Sequence, residues 1–363
     1  NSAHSAEEIP LDTEHGIGDQ SYLYGMCYLL EGRTYWGSPF ENGDIEADIA
    51  LINNLGCKTV RHWMHFTALM KDKDTMNEEE CERMHLALEE CLKYDIVNIG
   101  MNHHNFNGGL SSVGKVKRNM VKGSDYILWL DDYYTSWYNL VSEFPEVLYW
   151  EIDNEVNNPD FMTDGGEKGS SAYSVRQMAE IATDMFYYAT RAIHDANPEA
   201  QSVMGGLTEP TGLGRGNTAS FLQMLYDNIA SGEYGYFYGK EEPSAASKNA
   251  DDYFEIACWH PYMSNFNKQN FIDINNEYYE IILKNEGKHK KVFFTEIGWN
   301  DDSIGGEEKS IEFMEQMYDA LKSMPYVETA NIFKLYDTGK KNNWDGPNYL
   351  YFGLVHDPDP TRA

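Results

Sequence analysis

The chain has 363 residues, 42% of them hydrophobic and 14% aromatic, enough for a sizeable core and too many for a disordered chain. Lysine plus arginine number 28 against 59 aspartate plus glutamate, a formal net charge of -31 that repels phosphate backbones and anionic lipid. No apolar run approaches the ~18 residues of a membrane span, so composition argues against nucleic acid or a membrane as partner and favours neutral or cationic molecules.

Residues 1–20 are polar and lack a periodic apolar pattern, and they read as an extension before a single domain over 21–363. From there strand-like runs alternate with amphipathic stretches. A first strand is predicted over 21–30, then a helix from Asp44 to Leu55 with Ile45, Ile49, Ile52 and Leu55 on one stripe. The second strand covers 58–66. Asn77 is placed to cap a helix running to Tyr94, with Met84, Leu88 and Leu92 on one face. A third strand at 96–102 opens a long loop, 102–125; no element is assigned between 126 and 146. The fourth strand, 147–155, is followed by a loop at 156–171 and a helix from Tyr173 to Asp195, which Pro198 stops. A fifth strand at 201–207 precedes a loop at 208–217, a helix from Ser220 to Ala230 and a further loop at 232–252. The remaining strands fall at 253–260, 291–299 and 329–337, with helices from Ile274 to Asn285 and Glu307 to Ser323 between them.

Eight strands alternating with helices at intervals of roughly 35 to 55 residues predict the α/β class and a single (β/α)8 TIM barrel. The competitor is a doubly wound sheet, but no GxGxxG follows the first strand, and GLGRG at 212–216 is a weak imitation of one. Few residues follow the last strand, so the eighth helix is expected to be short or missing. Five cysteines (Cys27, Cys57, Cys81, Cys91 and Cys258) with no CxxC spacing read as free buried thiols, not a disulfide framework or a zinc site.

Two predicted strands end in a glutamate. The fourth is YWEIDNEVN, finishing at Asn154 and Glu155; the seventh is VFFTEIGWN, with Glu296 at its end. In a barrel the C-terminal ends of different strands converge on one opening, which brings such carboxylates before a common substrate. A pair whose environments push their pKa values apart divides into acid and nucleophile, the division glycosidic cleavage requires. A strand glutamate is otherwise a surface or ladder residue, and Glu151 and Asp153 share the parity of Glu155. Position at the strand end singles out Glu155.

The Asn154–Glu155 pair and Glu296 resemble the clan A glycoside hydrolases, over about Tyr22 to Leu354. That resemblance implies a retaining mechanism with Glu155 as acid/base, Glu296 as nucleophile and Asn154 on the sugar 2-hydroxyl. It further implies that Arg61, in TVRHW, hydrogen-bonds the nucleophile, and that His260 and Tyr262, in WHPYM, form the clan's histidine–tyrosine pair. His103, in MNHHN beside His104, is placed to contact a sugar hydroxyl. Trp299 is expected to be a sugar platform, with Trp63, Trp129 and Trp344 in or near mouth loops. Tyr336 stands where the clan often supplies a tryptophan, and Asp153 and Val156 stand where many members carry tryptophan and proline. The TEIGW and YFGLVHD segments are similar to glycoside hydrolase family 39 and some family 5 members.

The resemblance implies hydrolysis of a β-linked oligo- or polysaccharide with no cofactor and a carbohydrate as the partner. One alternative is a non-catalytic carbohydrate-binding barrel, which would lack one of the carboxylates. Another is a metal-dependent hydrolase using His62, His65, His103, His104 and His260, but the opposite strand parity of 62 and 65, and of 103 and 104, opposes it. No metal ligands are expected. The acidic balance leans toward a secreted or cell-surface location and the unpaired cysteines toward a reducing one; oligomeric state stays open.

Overall fold

The computed structural model describes residues 9–30, 44–103, 118–159, 161–162, 173–209, 217–238, 245–336 and 352–354. Eight parallel strands run through it: β1 Tyr24–Tyr28, β2 Thr59–Trp63, β3 Val97–Asn102, β4 Tyr149–Asn154, β5 Gln201–Gly206, β6 Ala257–Cys258, β7 Val292–Ile297 and β8 Val327–Ile332. They are ordered β5-β4-β3-β2-β1-β8-β7-β6. Parallel bridges Val203–Ile256 and Leu207–Trp259 join β5 to β6 and close the barrel. Strands with helices on one face and the barrel interior on the other have no wet face, so polar strand residues such as Arg61 and Glu151 are buried together with the apolar ones. Every residue of β7 and of β8 is buried.

The outer ring holds α1 Asp44–Asn54, α2 Glu78–Lys93, α3 Asp125–Glu143, α4 Val175–Ala196, α5 Asn217–Ser231, α6 Lys268–Glu286 and α7 Glu307–Leu321. Local chemistry sets their ends. Ser174 and Gln177 form a reciprocal capping box at the start of α4, and Asn267 accepts from the Asn270 amide to open α6. At the start of α2, Asn77 holds the cap position, but its side chain donates instead to the Ala68 carbonyl at 3.1 Å.

The structure adds α3, where the sequence pattern assigns nothing. Its inward stripe is Tyr126, Ile127, Trp129, Leu130, Tyr133, Trp137, Leu140 and Val141. Tyrosine and tryptophan take the places that leucine and isoleucine usually mark, and Trp137 packs edge-on against Trp150 of β4 at 5.9 Å. Other boundaries differ as well, the eighth strand running over Val327–Ile332 against the expected 329–337. The sixth strand shrinks to Ala257–Cys258, and Tyr253 and Phe254 at its expected start instead bond back to Ala250 in a 3-10 turn. Helix α6 starts six residues before Ile274, its first turn being polar apart from Phe271.

Gln20 fixes the segment before β1 to the N-terminal end of the barrel, its amide donating to the carbonyls of Leu321, Met324 and Val327 at 2.8, 3.0 and 3.2 Å. All five cysteines are free and buried. No described helix is long and apolar enough to cross a membrane. Past Tyr336 the structure describes only 352–354, so the expectation about the eighth helix lies outside the described residues.

Candidate active site

Glu296 is the second-last residue of β7, and Glu155 lies one residue past the end of β4. The backbone there is not a plain strand: Asp153 has φ +76° and Glu155 φ +50°. Left-handed conformations at two non-glycine residues cost about 1–3 kcal/mol each and persist only where surroundings enforce them. The Asn154 amide donates to the Asp153 carboxylate at 2.6 Å, and the Glu155 amide donates across to the Gly206 carbonyl at 2.9 Å. These contacts turn the chain so that Asn154 and Glu155 leave the alternating track on which Glu151 sits.

Arg61, fully buried in β2, is the hub. Its Nη1 donates to Glu296 Oε1 at 2.5 Å, its Nε and Nη2 to the two oxygens of Glu151 at 2.6 and 2.9 Å, and Nη2 also to Asn154 Oδ1 at 2.8 Å. Burial alone would push the Glu151 carboxyl up, but the guanidinium against both oxygens outweighs it and holds the group at about 2. Burial likewise opposes charge on Arg61, and Glu151 and Glu296 raise its pKa well above the ordinary value.

The second oxygen of Glu296 accepts from the Tyr262 hydroxyl at 3.0 Å. Burial, then the neighbouring Glu296 charge, pushes that phenol well above its usual range, so it remains a donor. His260 stands between the two carboxylates: Nδ1 is 3.1 Å from Glu155 Oε1 and 3.7 Å from Glu296 Oε2. Its Nε2 reaches Thr295 Oγ1 at 2.9 Å, and that hydroxyl donates on to Glu151 Oε1 at 3.0 Å. Burial disfavours an imidazolium there, yet Glu296, Glu151 and Glu155 around the ring raise it to about 9. Asn158 donates to the other Glu155 oxygen at 3.0 Å.

Glu155, His260 and Glu296 each bring one ligand-type atom within 4.8 Å of the others, as do Glu151, Cys258 and His260. A divalent cation among them would face the Arg61 guanidinium, which already holds both Glu296 and Glu151. The charges are balanced by protein cations, an arrangement suited to proton transfer and nucleophilic attack.

Of the residues named from sequence, Glu155, Glu296, Arg61, Asn154, His260 and Tyr262 converge on this network. His103, at the end of β3, lies beside it with Nδ1 3.3 Å from Asp153 Oδ1. Trp299 is buried against Phe266 and Phe313, its indole donating to the Met263 carbonyl at 2.9 Å. The Tyr336 hydroxyl donates to Asp48 of α1 at 2.8 Å. His62 is buried against Asn98, and burial pushes it down to about 4. Trp129 stacks on Tyr133 within α3, while His104 and Trp344 lie outside the described residues. Sequence reading considered Glu151 only as an alternative to Glu155 and passed over Thr295, Asn158 and Gly206. A buried acid in the middle of a strand, opposite an arginine on another, is the signal that marks Glu151.

A search of curated proteins found no match. Among solved structures, a family 39 glycoside hydrolase from the gut symbiont Bacteroides cellulosilyticus WH2 superposes with a TM-score of 0.62 at 14% identity, over 93% of this chain and 61% of that one. The AHE enzyme from Alicyclobacillus herbarius gives a TM-score of 0.63 at 12% identity, covering 93% and 92% of the two chains. A variant of GH5_18 from Streptomyces cattleya in complex with Manb1-4GlcNAc gives 0.62 at 14% identity, covering 93% and 76%. Identities this low establish the fold alone. The family model for Cellulase (glycosyl hydrolase family 5) matches residues 19–330, most of the chain, including β1 through the first half of β8 and both strand-end glutamates. The chain therefore belongs to glycosyl hydrolase family 5, among the clan A glycoside hydrolases.

Proposed function

We propose that this glycoside hydrolase is a retaining β-glycosidase acting on a neutral β-linked oligo- or polysaccharide, with Glu296 as nucleophile and Glu155 as acid/base. The observation that carries the reading is the approach of the two carboxylates, one oxygen of each within 4.8 Å of the other's. Retaining enzymes place the pair about 5–5.5 Å apart, whereas inverting ones leave room for a water at about 6.5–9.5 Å.

In this reading Glu155 protonates the glycosidic oxygen as a Glu296 oxygen attacks the anomeric carbon. The leaving group departs as an alcohol and a glycosyl ester remains on Glu296. Water, deprotonated by Glu155, then attacks the same carbon and releases Glu296 as the carboxylate. Arg61 and Tyr262 each hold one Glu296 oxygen and so fix the position of the attacking group. Asn154 spends its side-chain oxygen on Arg61, which leaves its NH2 to donate to the sugar 2-hydroxyl. The charge of -31 favours neutral over uronic-acid glycans.

A panel of aryl β-glycosides and neutral β-linked polysaccharides tests this with Glu296→Ala and Glu155→Ala alongside the parent. The expected result is loss of turnover in Glu296→Ala, and in Glu155→Ala rescue by azide with a β-glycosyl azide as product. An α-configured azide product would mean the two carboxylates do not act as assigned.

A further inference from the structure

Glu151 lies four residues before Glu155 and is fully buried, out of a substrate's reach, yet it is tied to several parts of the site at once. It accepts from Arg61 twice, from the Thr295 hydroxyl at 3.0 Å and from the Gly206 amide at 3.1 Å, and His260 Nε2 stands 3.8 Å away.

We propose that Glu151 is a positioning residue for the reaction, holding the Glu296 nucleophile through Arg61 and the Glu155 acid/base through Thr295 and His260. The inference rests on the retaining reading above. A guanidinium is a planar fork whose orientation is set by the carboxylate it grips with two donors. Here the fork of Nε and Nη2 belongs to Glu151, so only Nη1 is left for Glu296. Without Glu151 the fork is held only where Nη2 meets Asn154, and it can swing onto Glu296, pair with both of its oxygens and blunt its attack.

Charge leads to the same assignment. The cations are Arg61 and His260; the carboxyl groups are Glu151, Glu155 and Glu296. Cys27, Cys258 and Tyr262 also face the cluster, and burial keeps all three protonated and neutral. Two cations thus face three carboxyl groups, and the retaining reading gives the transferable proton to Glu155. Removing the Glu151 charge leaves an excess positive charge that drives that proton off.

The test is the pH dependence of kcat/KM on an aryl β-glycoside for Glu151→Gln, Glu151→Asp and Thr295→Val. Glu151→Gln is expected to lower kcat/KM roughly 10- to 100-fold, the loss that removing a hydrogen bond to a charged group brings, and to move both limbs of the pH profile toward lower pH. Glu151→Asp restores the charge and is expected to return the limbs to the parental pH even where the rate stays reduced. Thr295→Val breaks the arm to His260, along with a contact to the neutral Cys258 thiol, and leaves the Arg61 arm intact, so it is expected to shift the alkaline limb alone. It serves as the test if Glu151→Gln fails to fold. Parental limbs in Glu151→Gln and Thr295→Val, with only the melting temperature lowered, would overturn the proposal and leave the retaining reading standing. Undiminished turnover in Glu296→Ala would overturn both.

Discussion

A Cβ placed on Gly206 would lie 2.1 Å from Nε2 of His260. The ring can reach Thr295 and Glu155 together only because β5 ends in a residue with no side chain. Gly206→Ala is therefore expected to displace His260, cutting kcat by at least about tenfold and lowering stability by about 1–3 kcal/mol, the usual cost of overpacking a filled site. Steady-state kinetics and denaturant unfolding check both. Parental kcat in Gly206→Ala would mean that the position of His260 does not matter to turnover.

Tyr262→Phe removes one donor to Glu296 without changing the ring. Hydrogen bonds to charged groups contribute about 1.5–3 kcal/mol, which corresponds to a loss of roughly 10- to 100-fold in kcat/KM. The loss should fall mainly on kcat, because the donor removed sits on the group that attacks and not on the substrate. Steady-state kinetics of the two proteins decide it; a parental kcat would place Tyr262 outside the support of Glu296.

Stability itself should depend on pH through two groups with opposite signs. Glu151 titrates at about 2 when folded against an ordinary 4.5, so its contribution is present above pH 4.5 and lost as pH falls through 2. That difference corresponds to about 3 kcal/mol. His260 titrates at about 9 against 6.5, so its contribution is complete below 6.5 and lost as pH rises through 9. Urea midpoints measured across this span are expected to be highest between about pH 4.5 and 6.5 and to fall on both sides. In His260→Gln the alkaline fall should flatten, and an unchanged alkaline slope would remove His260 from the account.

What the sequence makes legible follows from how each element is buried. Strands β4 and β7 sit between helices and barrel interior, so VLYWEIDNE and KVFFTEIGW announce themselves, and their terminal glutamates stand out against apolar runs. Helix α3 escapes notice because its buried stripe is built largely from tyrosine and tryptophan in a chain with 26 tyrosines. Parity arguments presume a regular strand. The left-handed turns at Asp153 and Glu155 break that regularity, and they depend on Gly206, far along the chain. For the same reason the role of Glu151 is invisible in its local sequence: three of its partners come from β2, β5 and β7.

Trp299 offers a test of whether an aromatic residue near a site serves the substrate or the core. Its side chain is buried, edge-on to Phe266 at 5.6 Å and 5.8 Å from Phe313, with the indole N–H on the Met263 carbonyl. A sugar platform needs an open ring face, and a residue packed on this many sides presents little of one. Trp299→Ala is expected to destabilise the protein by about 3–5 kcal/mol, the range for emptying an aromatic site in a core. Trp299→Phe keeps most of the apolar contact and gives up the hydrogen bond, so it should recover most of that loss and leave KM within about threefold of the parent, under 1 kcal/mol. The decisive measurement is KM for an oligosaccharide in Trp299→Phe, set beside its unfolding free energy. A large rise in KM with stability intact would assign the ring to the substrate, whereas the packing around it makes a loss of stability at near-constant KM the expected result.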